Sequence, residues 1–300
     1  MKILLFGANG QVGWELRRSL APLGEVVALG SAGEGALAGD FRDPQAVAAS
    51  VLQVRPDLVV NAAAYTAVDK AESDSESART VNALAPEAIA RAARAVDAPV
   101  IHYSTDYVFD GSGSRPWRED DATGPLSVYG RTKLEGEQRL AAAQPQHLIL
   151  RTSWVYAARG GNFARTMLRL AGERERLTVI DDQFGAPTGA DLLADVTAHA
   201  ARALLRDPAL AGTYHVAASG ETSWHGYARF VVGKAQQLGE EFKAGPSAIA
   251  PVPTSAFPTP ARRPHNSRLD TERFRTAFGL ALPPWEWGVA RMLQEILERS

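Results

Sequence analysis

Cysteine is absent from all 300 residues. This excludes disulfides, thiolate nucleophiles and cysteine-ligated metal, and agrees with a reducing compartment. Long apolar runs are also missing, and none approaches the roughly 20 residues that cross a bilayer. Met1-Lys2 leads into only a short apolar run and then glycines, so no signal peptide is expected and a cytoplasmic location is. Neither sign of charge dominates: 32 Lys and Arg face 34 Asp and Glu, for a net charge of -2. A balanced surface does not attract polyanions, so nucleic acid and membrane are not expected partners. What is present is a 45% hydrophobic chain of a length that buries a large core, as one big domain or as two unequal ones.

Apolar patches and helical periodicities alternate along the first half. Strand patterns fall at 3–6, 26–29, 58–61, 100–104 and 148–152, and helical patterns at 12–20, 44–54, 86–96 and 128–143. Such alternation predicts an α/β fold, a doubly wound parallel sheet covered by helices on both faces. The first strand runs directly into Gly7-Ala8-Asn9-Gly10-Gln11-Val12-Gly13. Glycines at these places let the backbone turn tightly and approach a pyrophosphate, which the following helix N-terminus stabilises. Tyr129 and Lys133 stand four apart and share a helix face, where an ammonium favours the phenolate and lowers the tyrosine pKa. Between these motifs the strand around His102 turns polar at Ser104, Thr105 and Asp106, at the edge where open parallel sheets bind ligands. His102 and His147 lie inside apolar strand patterns and read as satisfied core residues.

After Trp154 the pattern is mixed, with helices predicted at 163–171, 191–205 and 224–238 and strands at 177–180 and 213–217. The expected division is a dinucleotide-binding domain over 1–155, with 177–205 contributing. A smaller interleaved substrate lobe takes 156–176 and 206–300. Residues 245–265 carry many prolines and no periodicity, so an ordered substrate loop is expected there.

The glycine turn, the strand ending in Ser104-Thr105-Asp106-Tyr107 and the Tyr129/Lys133 pair together resemble the extended short-chain dehydrogenase/reductases. Longer segments (61–72, 151–156, 182–188 and 258–264) are similar to the dTDP-4-dehydrorhamnose reductase family within them, from end to end. The resemblance implies a Rossmann-type fold. It also implies reduction by NADPH or NADH of the C4 carbonyl of dTDP-4-dehydro-L-rhamnose to dTDP-L-rhamnose, the last step of that sugar nucleotide's synthesis. Tyr129 is then the proton donor, Lys133 the contact to the nicotinamide ribose, and Thr105 the hydrogen-bond donor to the substrate carbonyl. Alternation along a strand lets only one of Ser104 and Thr105 face the cleft, and the family motif matches Thr105.

By the same resemblance Gly7, Gly10, Gln11, Val12, Gly13, Gly30, Ala64, Tyr65, Thr66 and Tyr103 line the cofactor site, and Asp40-Phe41 at the end of a third strand contacts adenine. At the end of the second strand Leu29-Gly30-Ser31 offers no carboxylate to repel a 2′-phosphate, which places NADPH ahead of NADH; no arginine stands next to Gly30. Asp106 and Trp154 are implied substrate contacts, and Arg262 and Arg263 supply donors for the phosphates. A homodimer is expected. A magnesium ion at its interface would fall to Glu15, Asp191 and Glu295, with Asp191 one methylene short of the family's glutamate. Two other functions fit parts of the pattern. One is a sugar-nucleotide 4-epimerase or dehydratase; dehydratases add acidic groups beside the threonine, and here only Asp106 is present. The other is the non-catalytic regulatory subunit of methionine adenosyltransferase, in which a complete Thr105/Tyr129/Lys133 set has no purpose.

Overall fold

The computed structural model describes residues 1–298. Six parallel strands form its central sheet: β1 (Lys2–Phe6), β2 (Glu25–Leu29), β3 (Leu58–Asn61), β4 (Val100–Thr105), β5 (His147–Thr152) and β6 (Gly212–His215). Their spatial order is β6-β5-β4-β3-β1-β2, with the direction of winding reversing between β1 and β3. Alternation decides which helices cover which face. Ile3 and Leu5 of β1 join Leu58, Val60 and Ile101 in a core closed by α1 (Gln11–Leu20) and by the later helix Ala190–Arg206. Leu4 and Phe6 point the other way, with Val59 and Val100, into a core closed by α2 (Pro44–Val54), α3 (Ala85–Ala95) and α4 (Val128–Ala143). A third apolar core, holding Met167, Val179, Tyr227, Val231, Trp285 and Val289, is built from the second half of the chain.

Three findings differ from the sequence reading. No strand ends at Asp40-Phe41: residues 30–43 form a loop whose only pairing is the isolated bridge between Glu34 and Leu37, so the third strand is Leu58–Asn61. The loop is held instead by contact, since a Cβ on Gly39 would lie 2.1 Å from the Gly30 carbonyl oxygen. Residues 212–215, assigned to the lobe, add the sixth strand to the main sheet beside β5. The loop expected over 245–265 contains the strand Ile249–Val252, paired in parallel with Leu177–Ile180; its support is a distant partner strand, and Pro251 interrupts any local periodicity.

Candidate active site

The glycine turn lies at the point where the sheet reverses. Gly7 has φ +79°, in the left-handed region that favours glycine, and a Cβ there would sit 2.5 Å from the Ala63 nitrogen on the neighbouring strand's exit. A Cβ on Gly13 would lie 2.1 Å from the Gly7 oxygen, so α1 packs against the turn with no room for a side chain. Helix α1 begins at Gly10 with no side-chain cap and no acidic residue in its first turn. Its first amides, at Gln11 and Val12, are therefore free for an external acceptor, and anions suit them. Gln11 Oε1 is buried without a hydrogen-bond partner beside them. An uncapped helix start, a cradle closed to any Cβ and an orphaned acceptor fit a dinucleotide.

Elsewhere the expected cofactor residues divide. Phe41 is buried edge-on against Phe6, at 5.4 Å between ring centroids, and is part of the core. Asp40 is held by Arg42, with Nη2 2.6 Å from Oδ2, which keeps its carboxyl below the usual range. Packing of Gly39 on Gly30 and Leu29 brings the chain just before this pair against the end of β2. Ala64 is half-buried and Thr66 exposed. Tyr65 turns its hydroxyl away, donating to Asp74 Oδ2 at 3.0 Å, while its backbone is clamped by Asn82, which accepts from Tyr65 N at 2.8 Å and donates to Tyr65 O at 3.2 Å. Asn82 also reaches Thr132 Oγ1 at 3.2 Å, tying this loop to α4. Tyr103 is buried and its hydroxyl bonds Thr197 at 2.6 Å.

Thr105 and Tyr129 meet where β4 ends, and Lys133 reaches the same strand two residues earlier, at Tyr103. Ser127 caps α4 by accepting from Gly130 N at 3.2 Å, and Gly130 packs so closely on the Tyr107 carbonyl that a Cβ would approach it to 2.3 Å. This fixes Tyr129 in the first turn, edge-on to Tyr107 with 5.4 Å between ring centroids. Thr105 donates to Asp106 Oδ1 at 3.1 Å and accepts from Tyr107 N at 3.2 Å. Ser104, on the opposite side of the strand, is buried with its hydroxyl unpartnered.

The expected depression of the tyrosine pKa does not occur in the ligand-free protein. Loss of hydration pushes the Tyr129 phenol up to about 12, with the Thr105 hydrogen bond opposing it. Lys133 does not counter this, because Nζ is drawn into β4, donating to the Tyr103 carbonyl at 2.6 Å. Burial brings Lys133 itself down to about 8, against the pull of Glu137. Asp106 is buried, with Oδ2 unpartnered, and desolvation pushes it up to about 6 despite hydrogen bonds from Ser267 and Thr105.

A cavity of about 510 Å³ opens beside Tyr107, walled by Phe163, Trp224, Arg174, Arg176 and Arg263 among others. It offers aromatic faces and guanidinium groups together, as a base linked to phosphates requires. Trp154 stacks on Trp224 with ring centroids 3.7 Å apart. Its φ of +49° is unusual for a bulky residue, and Gly185 makes room, since a Cβ there would meet the indole at 2.9 Å. Arg263 lines the cavity and pairs with Asp69 at 2.7 Å. Arg262 is exposed and lies outside the lining, so the two arginines expected to act together are separated by chain direction. Trp224, Ser267 and Asn82 were invisible in sequence: each reaches the site from a distant element, with no motif around it.

Glu15, Asp191 and Glu295 do come near one another. Burial and the two neighbouring carboxylates raise Glu15, with Arg18 opposing. Asp191 is already bound by Arg291 and by the Leu192 amide. Among the described residues of the single chain no group of three or more acidic or histidine side chains is arranged to hold a metal.

A doubly wound sheet carrying a glycine turn at its switch point and a Tyr-x-x-x-Lys helix over the next strand is the arrangement of an extended short-chain dehydrogenase/reductase. A family model described as the RmlD substrate binding domain matches residues 1–298. The chain is 59% identical to the dTDP-4-dehydrorhamnose reductase of Escherichia coli K12, over 99% of this chain and 98% of that one. Two solved structures of dTDP-4-dehydrorhamnose reductases superpose closely. That from Clostridium acetobutylicum has TM-score 0.88 and 34% identity, covering 99% of this chain and all of that one. That from Bacillus anthracis, in complex with NADP, has TM-score 0.87 and 33% identity, covering 98% and 99%. The chain belongs to the dTDP-4-dehydrorhamnose reductase family.

Proposed function

We propose that this enzyme is an NAD(P)H-dependent oxidoreductase that reduces the C4 carbonyl of dTDP-4-dehydro-L-rhamnose to dTDP-L-rhamnose, with NADPH preferred. One observation supports the reading: Thr105 and Tyr129 meet at the end of β4, with Lys133 one helical turn beyond Tyr129, near a glycine-turn helix that starts uncapped and a cavity walled by aromatic and arginine side chains. The bound nicotinamide supplies the hydride. The chain's own residues hold the proton. A phenol near 12 stays protonated at neutral pH, so Tyr129 is loaded for donation, and an alkoxide, far more basic than a phenolate, takes its proton. Thr105 surrenders its bond to Asp106 to reach the carbonyl oxygen, and Asp106 then accepts from a sugar hydroxyl. The Trp154 face suits the deoxysugar's methyl group, and Arg263, with Arg174 and Arg176, receives the diphosphate. The NADPH preference rests on Leu29-Gly30-Ser31, which offers no carboxylate at the end of β2 itself.

The enzyme acts in the cytoplasm as a homodimer, through the face of α1 and the helix Trp285–Leu297, where Trp14 and Trp287 stand exposed. The test is oxidation of NADPH and NADH with freshly generated dTDP-4-dehydro-L-rhamnose, beside Tyr129→Phe. Turnover to dTDP-L-rhamnose that falls about 10²-fold or more in the variant, with cofactor binding retained, is expected. Folded, nucleotide-binding protein that turns over no sugar nucleotide but associates stably with a methionine adenosyltransferase would reverse the assignment. A tightly retained NAD in purified protein would favour an epimerase or dehydratase.

A further inference from the structure

Three buried side chains lie end to end beneath the cleft, and two of them have no part in the chemistry above. Asn61 closes β3, His102 sits within β4, and Lys133 reaches in from α4; none is more than 2% exposed. Asn61 Oδ1 accepts the Ala63 amide at 2.9 Å, so its Nδ2 is the atom facing His102 Nδ1, also at 2.9 Å. An amide nitrogen has only hydrogens to offer. His102 Nδ1 therefore carries the lone pair, and the neutral ring's proton sits on Nε2. Nε2 in turn faces Lys133 Nζ at 3.3 Å. An ammonium has three donors and no acceptor, so this contact is attractive only when the lysine is an uncharged amine, which still donates to Tyr103 O.

We infer that His102 is a positioning residue for Lys133: locked as its Nε2–H tautomer by Asn61, it favours the neutral amine over the ammonium and so draws the lysine back into β4 as pH rises, in competition with the cofactor. This rests on reading Lys133 as the contact to the cofactor ribose. The charges around the pair leave room for it. Glu137, one turn further along α4, favours the ammonium but is clamped by Arg151 of β5 at 2.7 Å. Burial holds His102 neutral, well below its ordinary value, and the charge of Lys133 when protonated and then that of His147, at the start of β5, act the same way. Tyr129, one turn earlier on α4, is an uncharged phenol. Burial has already brought Lys133 down to about 8, so the amine form is reached at moderate pH. Cofactor capture then takes up one proton, and affinity falls about tenfold per pH unit above the lysine's titration.

NADPH affinity of the full chain, measured by fluorescence from about pH 6 to about pH 10, tests this in wild type, His102→Phe and Asn61→Asp. Phenylalanine removes the N–H that stabilises the amine, so the alkaline limb moves up and the variant binds about three- to tenfold tighter than wild type well above the limb, the gap closing toward neutral pH. Asn61→Asp accepts from Nδ1–H and makes Nε2 an acceptor for the ammonium, moving the limb the same way. A limb that stays in place, or affinity lost evenly at all pH, overturns the inference. The ¹⁵N spectrum of histidine-labelled wild type decides independently of variant folding: His102 protonated on Nε2 supports it, and protonation on Nδ1 overturns it. Wild type that binds NADPH at no pH would overturn the reductase reading itself, and this inference with it.

Discussion

Asp106→Asn sets stability against activity at one atom pair. The asparagine keeps the shape and the acceptor for Thr105, but it carries no charge. In the wild type, burial pushes Asp106 up to about 6, against about 4 for an ordinary aspartate. A raised carboxyl pKa means the folded state binds its proton more tightly than the unfolded state. Stability is therefore highest below about pH 4, falls as pH rises to about 6, and stays lower above that. Two units at about 1.4 kcal/mol each make about 3 kcal/mol lost at neutral pH. The asparagine escapes that loss, although its Nδ2 takes the place of the unpartnered Oδ2 and leaves a buried donor unmatched, at a cost of about 1 kcal/mol or more. Net stabilisation of about 1–2 kcal/mol is expected at about pH 7.5, shrinking toward zero and then reversing as pH approaches about 4. Urea unfolding of ligand-free protein at a series of pH values, with m unchanged, measures it. A difference that does not vary with pH, or a variant less stable than wild type at pH 7.5, would refute the reasoning. Turnover should fall in the same variant, because instability held at a site is commonly what function requires.

Other outcomes follow from sterics and from buried charge. Gly13→Ala places a methyl 2.1 Å from the Gly7 oxygen. The turn has to open, and NADPH affinity should drop at least about tenfold by titration. Arg151→Met strands Glu137, whose side chain is 5% exposed in the pair. An unpartnered buried carboxylate costs about 3–5 kcal/mol, read as a lower urea midpoint, and Arg151→Met/Glu137→Leu together should recover most of it.

How far the site was legible depends on how local each cause is. The glycine turn and the Tyr129/Lys133 spacing were readable because strand, turn and helix period are consecutive in the chain. The placement of Asp40-Phe41 was not: Gly39 and Gly30 touch without pairing, and no periodicity reports a contact of that kind. Trp154 and Trp224, 70 residues apart in sequence, become one stacked platform only because Gly185 leaves space beneath the first. Ionisation was the least legible property. Four-residue spacing put an ammonium beside a phenol, and on that ground Tyr129 was expected to acidify. Desolvation, which no spacing encodes, instead moves Tyr129 up and Lys133 down, and His102 and the Tyr103 carbonyl draw the lysine away. A protonated phenol is the form in which Tyr129 would donate in the proposed reduction. The protonation state of the motif is thus set from its buried side, by residues that read in sequence as ordinary core.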